Sequence, residues 1–175
     1  MYRVGIISDT HGAVPNDIYA KFHRVDCILH AGDLGSSTVL LDLEVIAPVY
    51  AVHGNLDFFD FSHQLPRERI VTVGSLSFAL IHGDQCRRSH IITDLIDRFR
   101  DANVDIVVFG HTHHYYVMRH GNLWLVNPGS ANSGTSSSGI LATFDDQASL
   151  NWQKIEFSNL KNEENTHDHY HDAND

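Results

Sequence analysis

Short apolar runs rich in Val and Ile recur along the first two thirds of the chain: RVGIIS (3–8), CILHAG (27–32), PVYAVHG (48–54), SFALIHG (77–83), DIVVFGH (105–111) and NLWLVNPGS (122–130). Between the early ones lie NDIYAKFHRV (16–25), SSTVLLDLEVI (36–46) and SHIITDLIDRFRDA (89–102), whose apolar positions recur at helical spacing. Strand alternating with helix predicts βαβ units and a largely parallel sheet. From about residue 115 the pattern changes. YYVMRHGNLWLV, ILATFD and SLNWQKIEF predict consecutive antiparallel strands, the first pair turning at His120-Gly121-Asn122. An α/β first half and an all-β second half predict two packed sheets flanked by helices, in one domain spanning residues 1–157. After Leu160 the segment SNLKNEENTHDHYHDAND has almost no apolar residue, so 158–175 is expected to be a disordered, acidic, His-rich tail.

Most of the early strands run into a polar cluster: SDTHG, HAGD, HGNLD, IHGDQ, GHTH and NPGS. Ligands bind at the carboxyl ends of strands in open α/β sheets, where the loops converge on one crevice. Six separated segments therefore deliver Asp, His and Asn to one place. The donors are hard oxygens and borderline nitrogens without thiolate, a mixture that suits Mn²⁺, Fe or Zn²⁺ better than Ca²⁺ or a Cys-rich structural zinc site. In an extended segment side chains alternate, so His111 and His113 are expected to point the same way and Thr112 the other.

A lone G-H-x-H arises by chance about 0.08 times in a chain with this Gly and His content, so its weight comes from the ordered set around it. Asp9-x-His11, Gly32-Asp33, Gly54-Asn55, His82-Gly83 and Gly110-His111-x-His113 follow one another, each just after an apolar run. In these motifs, and in NPGS at 127–130, the chain resembles the calcineurin-like metallophosphoesterase superfamily over residues 1 to about 155, and within it the small single-domain phosphodiesterases of bacteria and archaea and the related retromer scaffold subunit. The resemblance implies a four-layer αββα fold, a two-sheet β-sandwich flanked by helices, with the metal site at the carboxyl ends of strands. It assigns Asp9, His11, Asp33 and His113 to one divalent ion and Asp33, Asn55, His82 and His111 to another, with Asp33 bridging. Mn²⁺ is the leading expectation for both ions, ahead of Ni²⁺, Fe, Zn²⁺ or Mg²⁺. The implied reaction is hydrolysis of a small phosphodiester by hydroxide activated between the two metals.

Many superfamily members carry histidine directly after the G-N asparagine, where it assists the leaving group. Here that place holds Leu56. His30, His53 and His114 are read as supporting groups or ordinary polar residues, because the seven ligands already supply eight contacts. Asp57 is expected to orient the Gly54-Asn55 loop, and Gly5, Gly12 and Gly129 to serve turns and close packing. SGTSSSG (133–139) reads as a flexible hairpin loop rather than a phosphate cradle, and Arg87-Arg88 as a solvated helix entrance. FFDF (58–61) with Tyr115-Tyr116 is read as core or dimer contact, with an apolar wall for a nucleoside or aryl group as the alternative. HDHYHD in the tail reads as a solvated terminus rather than a metal site.

Composition narrows the function further. The formal net charge of −10, from 12 Lys and Arg against 22 Asp and Glu, argues against tight binding of long nucleic acid. Cys27 and Cys86 form no C-x-x-C pair, and no apolar segment reaches the ~20 residues of a membrane span, so a soluble cytoplasmic protein is expected. The competing readings are a non-catalytic protein-binding scaffold of the same fold, and a phosphomonoesterase or nuclease.

Overall fold

The computed structural model describes residues 1–57, 64–133 and 136–158. FFDF at 58–61, the centre of SGTSSSG and the tail from residue 159, with HDHYHD, lie outside the described residues. In chain order the elements are β1 (Tyr2–Ile7), α1 (Ile18–Lys21), β2 (Cys27–His30), α2 (Ser37–Glu44), β3 (Val49–Ala51), β4 (Glu68–Val73), β5 (Leu76–Ile81), α3 (Ile91–Phe99), β6 (Ile106–Val108), β7 (Tyr115–His120), β8 (Leu123–Pro128), β9 (Ser137–Phe144) and β10 (Asn151–Phe157).

They form two five-stranded sheets, ordered β10-β9-β1-β2-β3 and β4-β5-β6-β8-β7. In the first, β1, β2 and β3 run parallel and β9 lies antiparallel to β1. In the second, β5, β6 and β8 run parallel between the antiparallel edge strands β4 and β7. Period-two alternation sorts the side chains into layers. Val4 and Ile6 of β1, Leu29 of β2, Phe78 and Leu80 of β5, and Phe144 of β9 fill the space between the sheets. Ile7 and Ile28 face outward against Ile18, Phe22, Val39 and Leu43 from the α1 and α2 regions, while Ala79, Ile81 and Val107 face Ile91, Leu95 and Phe99 of α3. The layers are therefore αββα.

Three details differ from the sequence pattern. The first predicted helix shrinks to the single turn of α1, because the chain turns through Arg24 (φ 64) after Phe22 has packed onto Gly5. A Cβ on Gly5 would lie 2.8 Å from the Phe22 ring, so that packing needs glycine. The late strands do form two hairpins, and the first turns at Gly121 (φ 62), but β8 and β9 belong to different sheets. Strand β9 crosses back to pair with β1, and Ser137 to Gly139, read as part of a loop, open it as buried residues. Finally, β4 carries no clear signal, since Val71 is its one buried residue. An edge strand with charged, exposed positions is a usual way to block further pairing.

Phe78 packs at a tilt against Phe144, with centroids 6.0 Å apart in the inter-sheet layer, whereas Leu41 on α2 is 63 % exposed. Phe78→Ala should destabilise the fold by about 3–5 kcal/mol, the usual cost of truncating a buried aromatic. Leu41→Ala should change stability by less than about 0.5 kcal/mol. Urea unfolding midpoints of the two variants check the contrast.

Candidate metal centre

The loops that leave the parallel strands meet at one edge of both sheets. The Asp9, His11 and Gly12 N–H groups donate to the carbonyls of Gly32, Asp33 and Leu34, at 3.0, 3.1 and 2.6 Å, so the first two loops are zipped together. The Gly110 N–H donates to the His82 carbonyl at 3.0 Å and the Ala131 N–H to the Ser8 carbonyl at 2.9 Å, which ties in the second sheet. Such approach leaves no room for side chains at the contacts. A Cβ on Gly54 would lie 2.1 Å from Asp33 Oδ1, and one on Gly110 would lie 2.0 Å from Ser8 Oγ.

Asp9, His11 and His113 form one group of donors that could hold a cation, and Asp9, Asp33 and His82 a second. Within them His113 Nε2 lies 3.1 Å from Asp9 Oδ1, His11 Nε2 lies 3.3 Å from His113 Nε2, and His82 Nε2 lies 3.3 Å from Asp33 Oδ2. The ring of His111 meets that of His82 edge-on at 5.2 Å. The two groups share Asp9. Asp33, expected to serve both ions, falls in the second group alone, with its Oδ1 accepting the Leu56 N–H at 2.9 Å.

Burial tests whether a cation fits. Both Asp9 carboxylate oxygens, His82 Nε2 and Asn55 Oδ1 are buried without a well-aligned hydrogen bond, the approaches of His113 to Asp9 and of His82 to Asp33 being ion-pair contacts, and all four atoms belong to the expected ligands. An orphaned carboxylate in the interior costs several kcal/mol unless a counter-charge meets it. His82 Nδ1 donates to the Ala31 carbonyl at 2.8 Å, which fixes the tautomer and leaves the Nε2 lone pair facing the carboxylates. This donor set fits a divalent ion.

Backbone strain collects at the same place. Among the described residues seven non-glycine positions have positive φ, and five of them are Asp9, His11, Asp33, His111 and His113. The G-H-x-H segment is consequently not extended. Strand β6 ends at Val108, and His111 (φ 64) and His113 (φ 60) are both left-handed, so strand alternation is not what orients them. One ring joins His82 and the other joins Asp9 and His11. Thr112 between them is turned to Asn127, whose Nδ2 donates to Thr112 Oγ1 at 3.1 Å and to the Gly110 carbonyl at 2.8 Å.

The supporting residues are largely those of the motif flanks. Asp57 accepts the N–H groups of Gly54, Leu34 and Gly35 at 2.8, 3.2 and 2.9 Å, binding the second loop to the third. His30 accepts the Gly32 N–H at Nδ1 and meets Thr10 Oγ1 at Nε2, and burial pushes its pKa down to about 4, so it is a neutral strut. His53 Nδ1 bonds the Gly54 carbonyl and His114 Nδ1 the Thr112 carbonyl. Ser130, unremarked within NPGS, donates to the Asp9 carbonyl, and Asn132 donates to that of Thr10. Buried polar residues at strand ends were the available signal for these struts. Arg87 is held by Asp94 of α3 through its N–H, Nε and Nη2, the last at 2.6 Å.

A superfamily model for calcineurin-like phosphoesterases matches residues 2–147. The chain belongs to the calcineurin-like phosphoesterase superfamily. A "probable metallophosphoesterase" of Methanothermobacter thermautotrophicus is 36 % identical over 132 residues, covering 73 % of this chain and 76 % of the relative. One of Methanocaldococcus jannaschii is 33 % identical over 134 residues, covering 73 % and 67 %. In fold the chain is similar to zinc-bound Vps29 of Entamoeba histolytica, with a TM-score of 0.70 at 24 % identity over 89 % of this chain and 99 % of that one. No described helix is long and apolar enough to cross a membrane.

Electrostatics at the centre predict how protons compete with the cation. Burial pushes the His82 pKa down, but the hydrogen bond and charge of Asp33 outweigh it and the net shift is upward. Asp9 raises His113, whereas burial and then the charge of His82 lower His111. Asp33 is raised by burial, but the bond and charge of His82 and the Leu56 N–H bring it below the ordinary carboxylate value. Since His82 and His113 hold protons above the ordinary imidazole value, cation affinity should keep rising past about pH 6.5 as those protons leave. Competition of the metal-free protein with a chromophoric chelator for Mn²⁺ across neutral pH measures this. A plateau already reached below about pH 6.5 would contradict it.

Proposed function

We propose that this chain is a metal-dependent phosphodiesterase acting on small diesters. The observation that carries the reading is the convergence of buried, hydrogen-bond-free donor atoms from Asp9, His82 and Asn55 beside His11, Asp33, His111 and His113. On this reading Asp9, His11, Asp33 and His113 hold one ion, and Asp33, Asn55, His82 and His111 the other, Mn²⁺ being the first candidate for both. Two such ions supply a water of lowered pKa and positive charge for the phosphoryl oxygens. The chain's own work is placement. The Ala31 carbonyl holds the His82 tautomer, Asp57 fixes the loop that presents Asn55, and Asn127 fixes the loop that presents His111 and His113. No side-chain nucleophile is invoked.

Charge favours a diester over a monoester. The loops SDTHG, HAGD, HGNLD, IHGDQ, GHTH and NPGS contain no Lys or Arg, Arg87 is bound to Asp94, and Arg67 leans on Asp84 at 3.9 Å. Such a rim suits a monoanionic ester better than a dianionic one. The scaffold reading has no use for a complete donor set, so it is the weaker of the two.

The purified protein should hydrolyse bis-p-nitrophenyl phosphate with Mn²⁺ and stop when the metal is chelated. Asp33→Asn should reduce both bound metal and rate, the rate by at least the ~100-fold that follows loss of a supporting residue at other metal sites. Elemental analysis alongside the assay decides it. Turnover in excess chelator by protein free of metal would sink the proposal.

Leu56 is 60 % exposed, its backbone N–H serves Asp33, and its side chain offers no proton. Esters whose leaving group needs protonation should therefore be poor substrates, by roughly the 10²- to 10⁴-fold that a general acid provides. kcat/KM across phenyl and alkyl diesters should fall steeply with leaving-group pKa, and Leu56→His should flatten the slope. Equal rates for alkyl and p-nitrophenyl esters in the unmodified chain would show that another group donates the proton.

A further inference from the structure

A trough of about 250 Å³ opens beside the candidate centre, walled by Ile91, Ile92, Phe109, Tyr115 and Tyr116. Both sides of it begin where proposed ligands end. Ile91 reaches the motif glycine after His82, since a Cβ on Gly83 would lie 3.1 Å from Ile91 Cδ1. On the opposite side the trough is bounded by Thr112 and His114, the neighbours of His113. It thus lies against the residues that follow His82 and His111 in the chain.

Three polar groups in its walls already have partners. Thr112 Oγ1 accepts from Asn127 Nδ2, His114 Nδ1 donates to the Thr112 carbonyl at 2.6 Å, and the Tyr116 hydroxyl pairs with His120 Nε2 at 2.7 Å. Among the described residues that line it there is no carboxylate, ammonium or guanidinium. What remains for a ligand is apolar surface, with the Phe109 and Tyr116 rings tilted at 59° to each other, 6.3 Å between centroids. Planar rings gain from such aromatic and branched walls.

Resting on the phosphodiesterase reading, we infer that this trough holds an aromatic ester group of the substrate, an aryl ring or a nucleobase, and so selects diesters that carry one. The group held is the one that stays on phosphorus, where it adds apolar burial to the bound state.

The test compares bis-p-nitrophenyl phosphate with methyl p-nitrophenyl phosphate, which release the same phenolate. Ile92→Asp places a charge in the wall. It should lower the ratio of the two kcat/KM values about tenfold, the scale expected when an aromatic group loses its apolar site. Using the variant against the unmodified chain cancels the intrinsic reactivity difference of the two esters. A ratio left unchanged overturns the inference. Because Ile92→Asp can disturb folding, a second measurement uses the unmodified full chain with Mg²⁺, following isoleucine methyl signals by NMR. Phenylphosphonate should shift Ile91 and Ile92, and methylphosphonate should leave them in place. Equal response to both probes, or shifts that track protein concentration without any probe and so mark a second copy of this chain, overturns the assignment. Failure of both esters to react with any divalent ion overturns the phosphodiesterase reading instead, and the NMR arm still decides what the trough binds.

Discussion

The carboxylate of Asp9 is fully buried with no well-aligned hydrogen bond and with the His113 ring 3.1 Å from one oxygen, and the centre is organised around that charge. In a protein interior a lone carboxylate is tolerated only with a counter-charge, so the fold must bring cation-binding groups to it. It does so by spending backbone rather than side-chain hydrogen bonds. The loop carrying Asp9 is zipped to the loop carrying Asp33, and the Ser130 hydroxyl takes the Asp9 carbonyl, which leaves the carboxylate oxygens free.

Close approach of the loops accounts for the glycines in the motifs. Gly54 lies against the Asp33 carboxylate and Gly110 against Ser8 and Asp9, at distances where any Cβ would collide. The donors beside them occupy left-handed backbone, a conformation that Asp and His tolerate better than most residues. Strain of this kind persists where surrounding structure over-determines it, and here three hydrogen bonds to Asp57 and two from Asn127 do so. Rigid placement of donors lowers the entropy lost when an ion and an ester are bound.

Function follows from what the rim lacks as well as from what the centre holds. With Arg87 engaged by Asp94 and Leu56 in place of a proton donor, the described rim contributes little charge and no acid of its own at those positions. On the proposed phosphodiesterase reading, the chemistry falls to the donor cluster and discrimination between substrates to surfaces such as the apolar trough near Ile92. A phosphodiester monoanion with a good leaving group matches that division.

Much of this was legible in the chain itself. Alternating apolar runs and helical segments carried the αββα layers, and the ordered motifs named the polar residues that the loops bring together. Asp57 was readable as a loop strut because a carboxylate two residues past a G-N turn has backbone N–H groups within reach. The register of β9 was not readable, since a strand buried on both faces fits either sheet and only packing against β1 decides. Nor was β4, whose exposed edge position leaves no periodic signal. Strand alternation would orient His111 and His113 alike, yet tertiary contacts bend that segment into left-handed backbone and bring one ring to His82 and the other to Asp9 and His11. Sequence determined which donors exist and in what order, because those are covalent facts. Which oxygen is orphaned, which nitrogen faces it and which carboxylate lies between the two groups were decided only when loops distant in sequence came within hydrogen-bond distance.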